Sequence, residues 1–136
     1  VKNIGESSDA TFASKCMGDG IAVDVIDGEI VAPCDGKITI VFPSKHAIGM
    51  KLKDGSSILI HCGIDTVNMD GDGFETFVDV DQEVKKGDLL KFDIDLVKEK
   101  GYSTETMMSF ELADKRTLQM QYTGQTQGKD VVAVVK

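Results

Sequence analysis

The hydrophobic positions fall in short runs rich in Val, Ile and Leu. Glycine paired with aspartate punctuates them: Gly18-Asp19-Gly20, Asp27-Gly28, Asp35-Gly36, Asp54-Gly55, Asp70-Gly71-Asp72-Gly73 and Gly87-Asp88. Such pairs reach positive φ at low steric cost and mark hairpins and tight turns. Apolar runs at this spacing predict an all-β fold, a compact antiparallel β-sandwich or barrel-like domain with at most one or two short helical turns. The predicted strands are Ile21–Val25, Glu29–Ala32 (stopped by Pro33), Lys37–Phe42 (stopped by Pro43), Ala47–Lys53, Ser57–Cys62, Phe74–Val78, Glu83–Val84, Leu89–Asp93, Met107–Leu112, Leu118–Tyr122 and Val131–Val135. Only Asp95–Lys100 has a good helical composition, with Gly101 placed as its cap. Asp70–Gly73 has the look of a calcium loop, but it lacks the later glutamate of an EF-hand and reads as a tight turn.

At 136 residues, with no linker-like segment and no repeat, the chain predicts a single domain over 1–136. That length can bury a core without staples. No apolar run approaches the length of a membrane span and no signal peptide is visible, so direct membrane insertion is not expected. The first residue is valine, so the sequence reads as trimmed or excised from a longer chain. Cys16, Cys34 and Cys62 are scattered and odd in number. This argues against a disulfide framework or a thiolate zinc site and suits a reducing, cytoplasmic setting. The formal net charge of −8 makes nucleic acid and anionic membrane poor partners and steers a basic protein toward the surface.

The chemistry rests on the only two histidines, His46 and His61. Between them stands Asp54-Gly55, a strong short hairpin signal. A two-residue loop there sets His61 opposite Ile48 and makes His46 its diagonal neighbour on the same face, roughly 7–8 Å away at Cα. A four-residue loop keeps both on one face, whereas a three-residue loop puts them on opposite faces. A neutral imidazole offers one nitrogen as nucleophile or metal ligand. A phosphoryl group taken by one ring could be held by an N–H of the other. Ser44, two positions before His46, could fix that ring's tautomer. Residue types alone favour a plainer alternative, two partly buried histidines at the edge of an apolar face beside Ile48, Met50 and Leu59.

A longer string bears on that choice. Gly18-Asp19-Gly20-Ile21-Ala22, Val31-Ala32-Pro33, Asp35-Gly36, His46-Ala47, Leu59-Ile60-His61-Cys62-Gly63-Ile64-Asp65-Thr66-Val67, Gly71-Asp72-Gly73-Phe74, Val84-Lys85-Lys86-Gly87-Asp88 and Phe92-Asp93 together resemble the glucose-family enzyme IIA domain of the bacterial phosphoenolpyruvate-dependent sugar phosphotransferase system. The resemblance covers nearly the whole chain, and the sequence lacks the extra N-terminal segment usual in the family, which again reads as trimming. It implies an antiparallel β-sandwich phosphocarrier. His61 would accept a phosphoryl group from the carrier protein HPr and donate it to the IIB domain of a sugar permease. It implies His46 as the supporting histidine and Ser44 in place of a frequent threonine. Asp19 and Asp65 would be acidic residues flanking the site and meeting the basic carrier. In some members the two histidines also hold zinc with a carboxylate of a bound regulatory target, so zinc on His46 and His61 is optional and no cofactor is obligatory.

On this reading Gly63 leaves room for the partner's backbone. Val23, Ile48 and Leu59 form an apolar collar that excludes water. Cys62 stands where some relatives have an aromatic.

Other readings are weaker. Val31–Gly36 and Val84–Leu90 resemble pieces of biotinyl or lipoyl carriers, and Met50-Lys51-Leu52 part of a biotinylation motif, but their order is wrong. A zinc peptidase of related architecture needs an aspartate at position 50 and a histidine at 63, where Met50 and Gly63 stand. A non-catalytic regulatory module would differ by failing to accept phosphate from HPr.

Overall fold

The computed structural model describes residues 2–4, 19–24, 28–32, 35–52, 55–84, 88–111, 118–120 and 133–135. In chain order the strands are β1 (Lys2–Asn3), β2 (Asp19–Asp24), β3 (Glu29–Val31), β4 (Gly36–Val41), β5 (Ala47–Lys51), β6 (Ser57–Ile64), β7 (Phe74–Thr76), β8 (Glu83–Val84), β9 (Asp88–Phe92), β10 (Ser103–Glu111), β11 (Leu118–Met120) and β12 (Ala133–Val135). A 3₁₀ turn, Thr66–Met69, follows β6, and one helix, α1 (Ile94–Glu99), precedes β10. The predicted strands are present with ends shifted by a few residues. Val25, Pro33 and the stretches 112–117 and 121–132 lie outside the described residues.

Every described pairing is antiparallel. The large sheet runs β1-β2-β10-β6-β5-β4-β8, a second runs β3-β9-β7, and β11 pairs with β12. The apolar residues of the two larger sheets meet in one core: Ile38, Ile48, Met50, Ile58, Ile60 and Cys62 from the first, Ile30, Leu89, Leu90, Phe74 and Phe92 from the second. Strand alternation produces this division. Ile58, Ile60 and Cys62 of β6 point into the core, while Leu59 and His61 point to the opposite face. There a smaller cluster of Ile4, Ala22 and Met107, with Leu59 and Ile64 against it, forms a second apolar layer. The antiparallel sandwich read from the sequence is therefore the observed architecture.

Local chemistry ends the elements where expected. Asp93 caps α1, its carboxylate accepting from the Leu96 amide at 3.1 Å, so the helix starts one residue before the predicted Asp95. Gly101 follows at φ 84 and its amide donates to the Lys98 carbonyl. Asp70–Gly73 is a turn, with Asp70, Gly71 and Gly73 all at positive φ.

One register differs from expectation. Ala47 faces His61 and Lys51 faces Ser57, and the ladder closes with the Leu52 amide donating to the Ser56 carbonyl at 2.8 Å. Positions 53–55 lie between that closing pair, so the loop has three residues and not two. Gly55 at φ 90 takes the left-handed last place that such loops require. His61 is opposite Ala47, one residue away from the predicted Ile48.

The shift fixes the role of Ile48. It pairs with Ile60, is fully buried, and belongs to the core between the sheets, so it cannot form part of a collar that meets a partner. Ile48→Ala is expected to destabilise the fold by about 2–5 kcal/mol in urea unfolding. A cost within about 0.5 kcal/mol, usual for surface positions, would contradict the core placement.

Candidate functional site

β6 carries His61 across the middle of the large sheet. Ala47 of β5 and Met107 of β10 flank it directly, both fully buried, so its neighbours across the ladder are apolar. His61 itself is half-buried. His46 is not part of a strand. It ends the five-residue connection Phe42–His46 between β4 and β5, in which Lys45 adopts φ 60. Its ring direction is set by this turn and not by strand alternation. The Cys62 amide donates to the His46 carbonyl at 2.7 Å and anchors the end of the turn to β6. The two rings lie edge to face with centroids 4.8 Å apart. The rings meet in spite of the three-residue loop, which would separate them only if His46 obeyed the pleat.

Each ring is held through Nδ1. His61 Nδ1 lies 2.9 Å from the Gly63 carbonyl oxygen, which can only accept, so the hydrogen sits on Nδ1 and Nε2 keeps its lone pair. His46 Nδ1 lies 2.5 Å from Ser44 Oγ, the bond expected from the sequence. His46 is only 2% exposed. Phe42 packs on it edge to face, with centroids 5.5 Å apart. Burial, and secondarily the charge on His61, lower the His46 pKa from 6.5 to about 4, so this ring is neutral near pH 7.

The remaining predicted residues are dispersed. Asp65 is exposed directly after β6, at φ 62, a conformation aspartate tolerates better than most residues. Asp19 opens β2 and its backbone aligns through Phe110 with Ile58, three residues from the His61 row. That places its backbone two strands over and three residues along from His61. Leu59 shares the His61 face and is half-buried. Val23 aligns with Thr106 and Cys62, out of phase with His61, and so faces the other side. Gly63 is buried, not open to a partner. At φ 82, a Cβ there would collide with the Thr66 methyl and lie 2.8 Å from the Ser103 carbonyl oxygen. Its missing side chain makes room for the chain's own next turn.

Cys62 is fully buried, and burial pushes its thiol up to about 12 despite a hydrogen bond from Thr106. It is neither a nucleophile nor a ready ligand near neutral pH. Among the described residues no group of three or more His, Cys, Asp or Glu stands together. Two imidazoles are half of the four ligands that a tetrahedral zinc takes.

Two site residues escaped the sequence reading. Phe42 was assigned to a strand end, although the run Phe42-Pro43-Ser44-Lys45-His46 places an aromatic across a tight turn from the histidine. Thr66 had no visible signal beyond its place in the Asp65-Thr66-Val67 string.

Residues 1–115 match the family model of the phosphoenolpyruvate-dependent sugar phosphotransferase system, EIIA 1. The chain belongs to this family. It is 52% identical over 107 residues to the glucose-specific EIIA component of Bacillus cereus, covering 78% of this chain and 65% of that one. It is 40% identical over 134 residues to the glucose-specific EIIA component of Mycoplasma capricolum, covering 98% and 87%. It is 42% identical over 137 residues to the glucose-specific EIICBA component of Staphylococcus carnosus, covering 100% of this chain and 20% of that one. The chain thus spans just under two thirds of the Bacillus cereus relative. The solved structure titled glucose permease IIA from Mycoplasma capricolum superposes with a TM-score of 0.90 at 38% identity, over 98% of this chain and 86% of that one. Among the described residues no helix is long and apolar enough to cross a membrane.

The depressed His46 pKa has a consequence for stability. Between pH 6.5 and about 4 the unfolded chain binds the proton that folded His46 refuses. Its contribution is therefore intact above pH 6.5 and falls by about 3 kcal/mol as the pH drops to about 4. Urea unfolding of wild type and His46→Gln should show the stability difference between them shrinking in favour of the variant across that window. Parallel pH profiles would mean that His46 is not held neutral by the fold.

Proposed function

We propose that this chain is a phosphocarrier of the sugar phosphotransferase system, taking a phosphoryl group from phospho-HPr onto His61 Nε2 and passing it to the IIB domain of a sugar permease. The observation that carries this reading is the pair of imidazoles in contact, one with its Nδ1–H bound to a carbonyl. That bond leaves a lone pair on the half-exposed ring, where an incoming phosphorus can be attacked. The new N–P bond forms as the carrier's N–P bond breaks, and the electron pair returns to the carrier's imidazole. Positive character gained by the His61 ring is favoured by the Gly63 carbonyl at Nδ1–H.

His46 stays neutral near pH 7, with one ring nitrogen protonated, so it can donate a single hydrogen bond from that nitrogen. In the tautomer that serves transfer, the Ser44 hydroxyl donates to His46 Nδ1 and Nε2–H points its hydrogen bond at the phosphoryl oxygens. Position and electrostatics are what a protein can contribute to phosphoryl transfer. Exposed Asp65 and the net charge of −8 suit a basic partner. Zinc is a second ligand of the same two rings only when a partner's carboxylate helps complete the coordination. The sugar is not selected here, because in this scheme it never touches the domain. The working location is the cytoplasm.

Incubation with phosphoenolpyruvate, enzyme I and HPr is expected to give an acid-labile, base-stable phosphohistidine. His61→Ala should abolish it. His46→Gln should still accept phosphate but pass it to IIB at least roughly 100-fold more slowly, the scale of a lost positioned donor. Labelling of His61→Ala at the wild-type level would sink the assignment of the acceptor. Normal transfer by His46→Gln would remove the supporting role.

A further inference from the structure

We propose that Thr66 is a positioning residue for the phosphoryl-accepting ring, acting through the backbone of Cys62 and Gly63. This rests on the reading of His61 as the acceptor. Thr66 is fully buried, and its hydroxyl donates to the Cys62 carbonyl at 2.5 Å. A threonine bonding four residues back is common inside helices, but here the acceptor lies in β6 and the donor in the 3₁₀ turn beyond it. The bond therefore staples the turn onto the end of the strand.

What it holds is the Cys62–Gly63 peptide, one link before the carbonyl that selects the tautomer of His61. Cys62 has both backbone groups engaged, its N–H by the His46 carbonyl and its C=O by Thr66. The next residue, Gly63, has φ 82 and supplies the carbonyl that accepts from His61 Nδ1. The Thr66 methyl closes over the same glycine, occupying the place of a Cβ. The ladder gives way at this point, because Thr104 and Glu105 of β10 stand opposite the single residue Gly63 of β6. Regular pairing lapses opposite Gly63, and the Thr66 hydroxyl anchors the peptide that enters it. A neutral imidazole whose Nδ1 partner drifts loses its preference for the Nδ1–H form. The fraction of rings with an Nε2 lone pair then falls.

Two readouts test this on the whole chain. The first is the His61 tautomer, from long-range ¹H–¹⁵N spectra of the unphosphorylated protein. The second is the rate of phosphate acceptance from phospho-HPr. Thr66→Val keeps the shape and removes the hydroxyl. It is expected to move the His61 nitrogen shifts toward a mixed tautomer population and to slow acceptance roughly 10–100-fold, as loss of a tautomer-fixing partner does elsewhere. Thr66→Ser keeps the hydroxyl and should restore the wild-type spectrum, with a rate within about threefold. Should the valine variant not fold, Thr66→Ala carries the same comparison. Wild-type spectra and rates in the hydroxyl-free variant overturn the proposal. So does a serine variant as impaired as valine, since packing of the methyl would then explain the effect. If the wild type itself accepts no phosphate, the acceptor role fails while the tautomer shift still reports on Thr66.

Discussion

The hydrogen bond from His61 Nδ1 to the Gly63 carbonyl is the constraint on which the site depends. A histidine in a regular strand has no carbonyl of its own strand placed to accept from its ring. This chain provides one by bending the strand at a residue that can hold φ 82. Glycine is needed there on two counts, the backbone angle and the space taken by the Thr66 methyl. The bulge on β10 releases the same residue from regular pairing. Three features of the fold thus converge on one peptide, and the result is a ring with a defined tautomer on an apolar floor of Ala47 and Met107.

The second ring is set by different means, and the difference separates their chemistry. His46 is fixed by a turn, wedged by Phe42 and bonded by Ser44, and is almost wholly buried. Burial excludes its charged form, while His61 keeps access to solvent. Two identical side chains in contact are thereby unequal. One offers a lone pair at the surface and the other remains a neutral partner behind it. Exposed Asp65 adds negative charge directly after β6.

Much of the fold was legible in the sequence because Asp-Gly pairs and two prolines mark most strand ends. Helix α1 was legible from its composition and Gly101, and only the Asp93 cap moved its start. The histidine pair was legible as well, though the loop length behind it was misjudged. Asp-Gly fits a two-residue turn and the end of a three-residue one equally well, and only Gly55's place in the closed ladder separates them. Ile48 was misplaced by the same one-residue slip, since each step along a strand reverses the face. Asp19 stands farther off along the fold. A match of residue type in a string carries no distance, and two strand spacings lie between β2 and β6.

What stayed hidden was the division of labour between Nδ1 and Nε2. A tautomer depends on which carbonyl reaches the ring, and the residue that supplies it stands opposite the bulge of residues 104 and 105, on a strand some forty positions later. No local pattern around Ile58–Val67 encodes that event. The glycine and threonine of the string are visible, but their meaning is three-dimensional. Gly63 reads as an open door to a partner until the Thr66 methyl and the Ser103 carbonyl are found standing in it. The specificity of the string therefore lies less in presenting a histidine than in building, within six residues, the backbone that tells its two nitrogens apart.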